Sequence, residues 1–483
     1  MGAVDAPWTP PPGSIPTLPV PSLTGVGRVH LIGIGGAGMR NLARLLLARG
    51  VDVQGSDLKG SAALDALVAE RARVVVGHDA AHLVASDGGT PDVVITSSAI
   101  APSNVELAAA ERNGITVWRR QQAVAALGVG RRAIAVSGTH GKTTTTSLLA
   151  LVLERAGLDP TYLIGGDLNE TGGGARAGEG DLFLYEADES DGSFLLGRPW
   201  TGVITNIDVD HVDFYPGGLP DIETAFARFV GGCEHVVAGA DDPSVRRTLE
   251  RAGVRATTFG TDPAADLHLT IEHLGPGVAQ GRVRFGDAEV PLALRMDGAH
   301  NLLNATAALG VATLVGMDPA AAAAALATFD GVHRRFERRG SVRGADFFDD
   351  YGHTPAEMAV TIETARRREP RRLVALVQPH RYTRVEALWR ELGASVAAAD
   401  LVVVTDIYGA EQPPIPGVTG RLVADGVRLA APETETVYLP HRADVVTYLA
   451  DAVTSGDLVV SMGCGDVWML GDAVRDRIAE LDG

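Results

Sequence analysis

The chain has 483 residues, enough for about three domains at roughly 150 residues each, which excludes a small stapled scaffold. Hydrophobic residues are 46% and charged residues 21%, the balance of an ordinary globular protein. A net charge of −18 with only 5% aromatics counts against a nucleic-acid partner held by a basic face or by base stacking. The two cysteines, Cys233 and Cys464, are too few for a disulfide framework, lack metal-ligand spacing, and read as reduced buried thiols. No apolar run is long enough to span a membrane and no secretory leader precedes the first strand, so the expectation is a cytoplasmic protein without membrane contact.

Residues 1–24 carry seven prolines and predict an extended tail. From Arg28 the pattern is strand, glycine turn, helix. The apolar run Val29–Ile34 leads into Gly33-Ile34-Gly35-Gly36-Ala37-Gly38, and helical spacing follows from Met39 to Arg49. Further strands at Val74–Val76 and Val93–Ile95 alternate with helical stretches, the signature of a parallel sheet in a first domain, 25–127. A second start follows: strand Arg131–Val136, turn Ser137–Gly141, helix Lys142–Arg155. Strands recur at Leu182–Tyr185, Val203–Asn206 and Val236–Ala238. Antiparallel runs cover Leu267–Leu294, and two Ala-rich helices near Ala299–Val315 and Pro319–Phe329 close a second domain, 128–331. The third domain, 332–483, has a sheet beginning near Phe347, with runs at Leu373–Val377, Leu401–Thr405 and Leu458–Ser461.

Two loops carry phosphate chemistry. Gly138-Thr139-His140-Gly141-Lys142-Thr143 lies between a strand and a helix, where backbone N–H groups converge on one point. Lys142 offers a mobile charge to terminal phosphates, and the Thr143 hydroxyl suits Mg²⁺. Only Lys59 and Lys142 are lysines among 42 basic residues, which singles Lys142 out. Gly33, Gly35 and Gly38 match a pyrophosphate-binding fingerprint, with Asp57 following 19 residues after Gly38. The carboxylates of Glu186-Ala187-Asp188-Glu189-Ser190-Asp191 follow an apolar strand, where one of them can hold Mg²⁺, and His211 follows another strand end. A triphosphate site on one domain and a second phosphate site on another point to an ATP-dependent transferase or ligase with a nucleotide-linked substrate. A dinucleotide-dependent oxidoreductase would explain Gly33–Gly38 and Asp57 but leaves Lys142 unused. A non-enzymatic nucleotide-binding regulator would bind Mg·ATP without turnover.

The ordered motifs resemble the Mur ligase family over nearly the whole chain after the tail. They are His30–Met39, Gly138–Thr146, Glu186–Phe194, Thr205–His211, Gly298–Asn301, Arg334-Arg335-Phe336, Asp349–His353 and Gln378–Arg384. The resemblance is strongest to the members that join L-alanine to UDP-N-acetylmuramate. It implies three consecutive α/β domains: Rossmann-like N-terminal, P-loop-type central ATPase and Rossmann-like C-terminal. It also implies an acyl-phosphate reaction using ATP and Mg²⁺ in peptidoglycan precursor synthesis. A sibling ligase adding another amino acid or peptide is the alternative within the family.

By the same resemblance, Gly33, Gly35, Gly36, Ala37 and Gly38 hold the UDP pyrophosphate, with Asp57, Ser97 and Ser98 nearby. Gly138, Thr139, His140, Gly141, Lys142, Thr143 and Thr144 bind ATP phosphates, and Asn301 and Asn304 bind adenine. Arg334, Arg335 and Asp350 are the third domain's contribution to ATP. Thr143, Glu186 and His211 are the metal residues. Tyr351, His353, Arg381 and Arg384 form the amino-acid side, and Lys142, Glu186, His211 and His353 are the catalytic set. Thr354 stands where alanine-adding members commonly have a second His; its His-Thr-Pro run is closer to the member that adds the third amino acid. Other siblings hold a second metal with a carbamylated Lys, and no Lys follows Lys142.

Overall fold

The computed structural model describes residues 9–10, 17–85, 87–97, 100–165, 173–211, 214–410 and 412–482. Ser98 and most of the Pro-rich segment lie outside these residues. The chain divides into two compact units, one comprising Met1–His273, Ala279–Arg295 and Ala299–Asp330, the other Leu274–Val278, Met296–Gly298 and Gly331–Gly483.

The first unit contains two sheets. The first takes β1 (Arg28–Ile32), β2 (Asp52–Asp57), β3 (Arg73–Val76), β4 (Val93–Thr96) and β5 (Thr116–Arg119), with crossover helices α1 (Ala37–Ala48), α2 (Ala62–Ala69), α3 (Val105–Arg112) and α4 (Arg120–Gly128). Its order is β3-β2-β1-β4-β5, all parallel, so β1 is central and the chain reverses direction across it. Buried Val, Leu and Ile fill β1 and β4 because helices cover both faces.

The second sheet has ten strands: β6 (Arg132–Ser137), β7 (Thr161–Leu163), β8 (Ala175–Arg176), β9 (Leu182–Glu186), β10 (Thr201–Ile204), β11 (His235–Gly239), β12 (Thr257–Gly260), β13 (Leu267–Gly275), β14 (Val278–Phe285) and β15 (Ala288–Leu294). Its order is β15-β14-β13-β12-β11-β10-β6-β9-β7-β8. Strand β6 lies between β9 and β10, parallel to both. The antiparallel pair β14–β15 occupies the region where the sequence alternates. Helix α5 (Lys142–Arg155) is buried from Thr143 to Leu153, which explains its nearly continuous Thr/Leu/Val composition. Helices α6 (Leu219–Gly231), α7 (Pro243–Ala252), α8 (Ala299–Leu314) and α9 (Pro319–Leu326) complete the unit.

The second unit's sheet runs β16 (Glu337–Val342), β17 (Ala345–Asp350), β18 (Arg372–Val377), β19 (Leu401–Val404), β20 (Glu435–Tyr438) and β21 (Asp457–Met462), in the order β16-β17-β21-β18-β19-β20. Helices α10 (Pro355–Arg366), α11 (Tyr382–Val396), α12 (Arg421–Ala430), α13 (Arg442–Ala452) and α14 (Val467–Asp482) pack on its two faces. The sheet begins ten residues before the apolar run at Phe347 that marks it in the sequence. Edge strand β16 pairs antiparallel with β17, and its arginines form surface ion pairs instead of an apolar face. Edge strand β20 is likewise only half-buried. Both cysteines are unpaired and half-buried, where burial was expected.

Candidate active site

Each sheet presents its chemistry at the carboxyl ends of a central strand and its two neighbours, where open parallel sheets bind ligands. In the first sheet these are β1, β2 and β4. Gly33 and Ile34 N–H donate to Ser56 O (2.8 and 3.0 Å), and Gly35 N–H donates to Asp57 Oδ2 (2.9 Å). Asp57, expected near uridine, therefore also braces the glycine loop. A side chain at Gly35 would press on Asp57 Oδ2 at 2.9 Å, and one at Gly38 would meet Arg120. Gly36 and Ala37 open α1, and Ser97 follows β4, facing the loop through Ile100 beside Gly33.

Beneath this loop is a group the sequence did not reveal. Glu106, on α3 and fully buried, accepts from Ser56 Oγ (2.5 Å), from His82 Nδ1 (2.8 Å) and from Asp79 N–H (3.2 Å), and lies 3.2 Å from His30 Nε2. Burial pushes its carboxyl up, but the bonds from His30, Ser56 and His82 more than offset this and hold it at about 2.

In the second sheet the loop 138–141 leaves β6 and enters α5. Gly141, the residue before the helix, has φ +83°, and a Cβ there would lie 2.6 Å from Asn304 Oδ1. Asn304 and Asn301, both on α8 and buried, hydrogen-bond each other (3.4 Å), so the pair expected to read adenine sits against the phosphate loop. The segment after β10 fixes the loop. His140 N–H donates to Asn206 Oδ1 (2.9 Å), Asn206 Nδ2 and Thr205 Oγ1 donate to His140 O (3.0 and 2.6 Å), and Asp208 N–H donates to Thr139 Oγ1 (2.8 Å).

Lys142 Nζ donates to Gly138 O (2.6 Å), Thr139 O (3.2 Å) and Glu189 Oε1 (2.9 Å). Burial opposes its charge, but Glu189, Asp188 and Glu186 outweigh that and raise its pKa. Burial, with Asp188 adding to it, pushes Glu189 up to about 7 against the pull of Lys142. Glu189 was not assigned a role from sequence, yet it is the partner of the loop lysine. Its Oε2 is buried and has no hydrogen-bond partner among the described residues.

Thr143 Oγ1 donates to Glu186 Oε2 (3.2 Å), and Gly165 N–H donates to Glu186 Oε1 (2.7 Å). Two hard oxygen donors this close suit a small hard cation. His211, in the left-handed region at φ +53°, places Nε2 at 3.9 Å from Glu189 Oε1. Thr144 is buried in the first turn of α5.

In the second unit, β21 lies between β17 and β18. Arg334 donates to Asp349 Oδ2 (2.8 Å), Gly463 O (2.5 Å) and Gly465 O (2.9 Å), and Arg334 and Arg335 each stand 5.1 Å from the centre of the Tyr351 ring. Asp350 accepts from Phe336 N–H, Gly352 N–H and Thr361 Oγ1, so its carboxylate organises its own loop. His353 and Arg384 flank His380, and Tyr351 stands against His353. The His353 ring centroid is 5.7 Å from Tyr351 and 5.4 Å from His380, and Arg384 donates to His380 Nδ1 (3.0 Å). Arg381 precedes α11 at φ +64°, with its N–H bonded to Tyr408 O (2.9 Å). Thr354 caps α10 through a reciprocal pair with Glu357. His380 and Cys464, which no local spacing marks, join this group from separate strand ends.

The three regions match three family models: the Mur ligase catalytic domain over residues 28–132, the Mur ligase middle domain over 136–312, and the Mur ligase "glutamate ligase domain" over 334–465. The chain belongs to the Mur ligase family. Among curated relatives it is 45% identical to the UDP-N-acetylmuramate–L-alanine ligase of Kineococcus radiotolerans, over 94% of this chain and 97% of that one. It is 41% identical to the ligase of the same name from Desulforamulus reducens, over 94% and 98%. Among solved structures, UDP-N-acetylmuramate–alanine ligase from Thermotoga maritima matches with a TM-score of 0.79 at 27% identity, over 94% of this chain and 99% of that chain.

Proposed function

We propose that this chain joins L-alanine to the carboxylate of UDP-N-acetylmuramate, converting ATP to ADP and phosphate, in peptidoglycan precursor synthesis. Among the described residues no helix is long and apolar enough to cross a membrane, and we infer that the reaction takes place in the cytoplasm. The observation that carries this reading is Lys142, held at the mouth of the phosphate loop against the carboxylates that follow β9. In this reading residues 25–127 bind the UDP-substrate, 128–331 bind ATP and 332–483 bind the amino acid; the tail 1–24 has no assigned part.

A bare carboxylate is a poor electrophile, so the substrate's carboxylate first attacks the γ-phosphorus. A bond forms from the carboxylate oxygen to phosphorus, the β–γ bridging bond breaks, and ADP leaves. The alanine nitrogen then attacks the acyl carbon and phosphate departs. Most of the catalysis is positioning and charge stabilisation. Lys142 turns from Gly138 O and Glu189 to the γ-phosphate and follows the charge as the phosphoryl group moves. Thr143 and Glu186 would hold Mg²⁺, assisted by His211; when bound it neutralises phosphate charge. Asn301 and Asn304 select adenine. Arg381 and Arg384 match the alanine carboxylate. His353, whose Nδ1 faces Tyr351 O at 3.1 Å, directs Nε2 to the proton the amine must lose.

The test is phosphate release from Mg·ATP and UDP-N-acetylmuramate across a panel of amino acids. Release should depend on L-alanine, and Lys142→Ala should lower turnover by at least about 10³-fold with the fold intact by circular dichroism. Release driven by a different amino acid would move the chain to another step of the family. Near-normal turnover in Lys142→Ala would overturn the role given to that lysine.

A further inference from the structure

His353, His380 and Cys464 each offer one ligand atom, and these atoms all lie within 4.8 Å of one another. They come from the ends of β17, β18 and β21, three adjacent strands, so their sequence spacing of 27 and 84 residues conceals the cluster. We propose that these three side chains form a binding site for one thiophilic divalent cation of the zinc class, and that its occupation closes the amino-acid subsite.

Two imidazoles and a thiol are a borderline-soft donor set that favours zinc over magnesium or calcium. Three protein ligands also leave a fourth position for water. Tetrahedral zinc sets its donors roughly 3.3–3.8 Å apart given its bond lengths, so a pair at the 4.8 Å limit must close by about an ångström. Side-chain rotation supplies that, because the supporting chain is already fixed by groups other than the ligand atoms. His353 Nδ1 faces Tyr351 O at 3.1 Å, the outer-shell bond that orients a metal-binding histidine through Nε2. Tyr408 N–H donates to Pro379 O (2.8 Å), and the Tyr408 ring stacks on His380 at 5.9 Å. Arg334 clamps the Cys464 loop on both sides, through Gly463 O and Gly465 O.

Arg384 opposes the cation. Its guanidinium donates to His380 Nδ1, which keeps the imidazole proton on Nε2. A metal at Nε2 needs the other tautomer, and a metal at Nδ1 needs the place Arg384 holds. Either way the guanidinium must withdraw. Binding also expels the thiol proton of Cys464, because the thiolate is the ligand. The cation and an alanine carboxylate drawn to Arg384 thus compete for the same small group of side chains; this second half rests on the amino-acid role proposed above.

Cobalt(II) is the probe for the site itself, added to the full chain without substrates. We expect one equivalent to give a sulfur-to-cobalt charge-transfer band in the near ultraviolet, displaced by one equivalent of Zn²⁺. The band should vanish in Cys464→Ser at an unchanged melting temperature. His380→Ala should weaken cobalt binding at least about 10-fold, and Arg384→Gln should tighten it. A cobalt spectrum unchanged by Cys464→Ser, or no band at all, overturns the site. Separately, Zn²⁺ should inhibit phosphate release, rising L-alanine should relieve it, and the turnover of Cys464→Ser should be insensitive. A charge-transfer band without relief by alanine would retain the metal site and overturn its placement in the amino-acid subsite.

Discussion

Glu106 has no exposure to water, yet it stays ionised down to about 2, where an ordinary glutamate protonates near 4.5. Because the folded value lies below the unfolded one, its contribution to stability is complete above about 4.5 and is lost as pH falls towards 2. A depression of this size corresponds to roughly 3 kcal/mol at neutral pH. Glu106→Gln should lower the denaturant midpoint of the first unit at pH 7, and the gap between variant and parent should shrink as pH falls below about 4.5. A gap of constant size down to the acid limit would contradict the charge-based account. The consequence reaches ligand binding through Ser56: its hydroxyl donates to Glu106 while its carbonyl receives Gly33 and Ile34. Little of this was legible in the sequence. Glycine spacing is local and announces the loop, whereas Glu106 meets Ser56 across 50 residues and His30 across 76. Glu189 was visible as one carboxylate in a run of four, but only the fold selects it as the partner of Lys142.

At the level of elements, strands with buried apolar faces could be read directly, and α5 begins and ends where its pattern predicts. Edge strands β16 and β20 could not, since one side of each meets solvent and polar residues suffice there. Thr354 is legible only as a helix start: its hydroxyl and Glu357 complete the reciprocal cap of α10, so its side chain serves the helix. Helices α11 and α12 meet through two glycines. A Cβ on Gly393 would strike the backbone of Gly426, and one on Gly426 would lie 2.5 Å from Trp389 O. Gly393→Ala gains about 1 kcal/mol of helix propensity but forces two backbones apart, at about 3 kcal/mol. The expected net result is a second unit less stable by about 2 kcal/mol in urea unfolding; a more stable variant would show that the contact can relax.

For the whole molecule, both glycine loops, at 33–38 and 138–141, belong to the first compact unit, to which the proposed function assigns the nucleotide. Heating should resolve two transitions, and Mg·ATP at 100 times its dissociation constant should stabilise the first unit by about 2.7 kcal/mol. Calorimetry with and without nucleotide checks this; a single transition shifted as one would mean the units unfold together. The sequence pointed to about three α/β domains, through its length and its alternation of strand, turn and helix. It could not anticipate that strand ends distant in sequence would bring two histidines and a cysteine together, because pairing order is a property of the sheet.

The bonds that tie the loop at 138–141 to residues 205–208 involve no nucleotide. Fixing one free backbone residue costs about 1–2 kcal/mol of conformational entropy. The chain meets that loss for several loop residues when β6 and β10 pair, long before any phosphate arrives. Under the proposed function, part of the affinity for nucleotide is therefore settled during folding, and a mutation in Asn206 should weaken binding by returning disorder to the loop it braces.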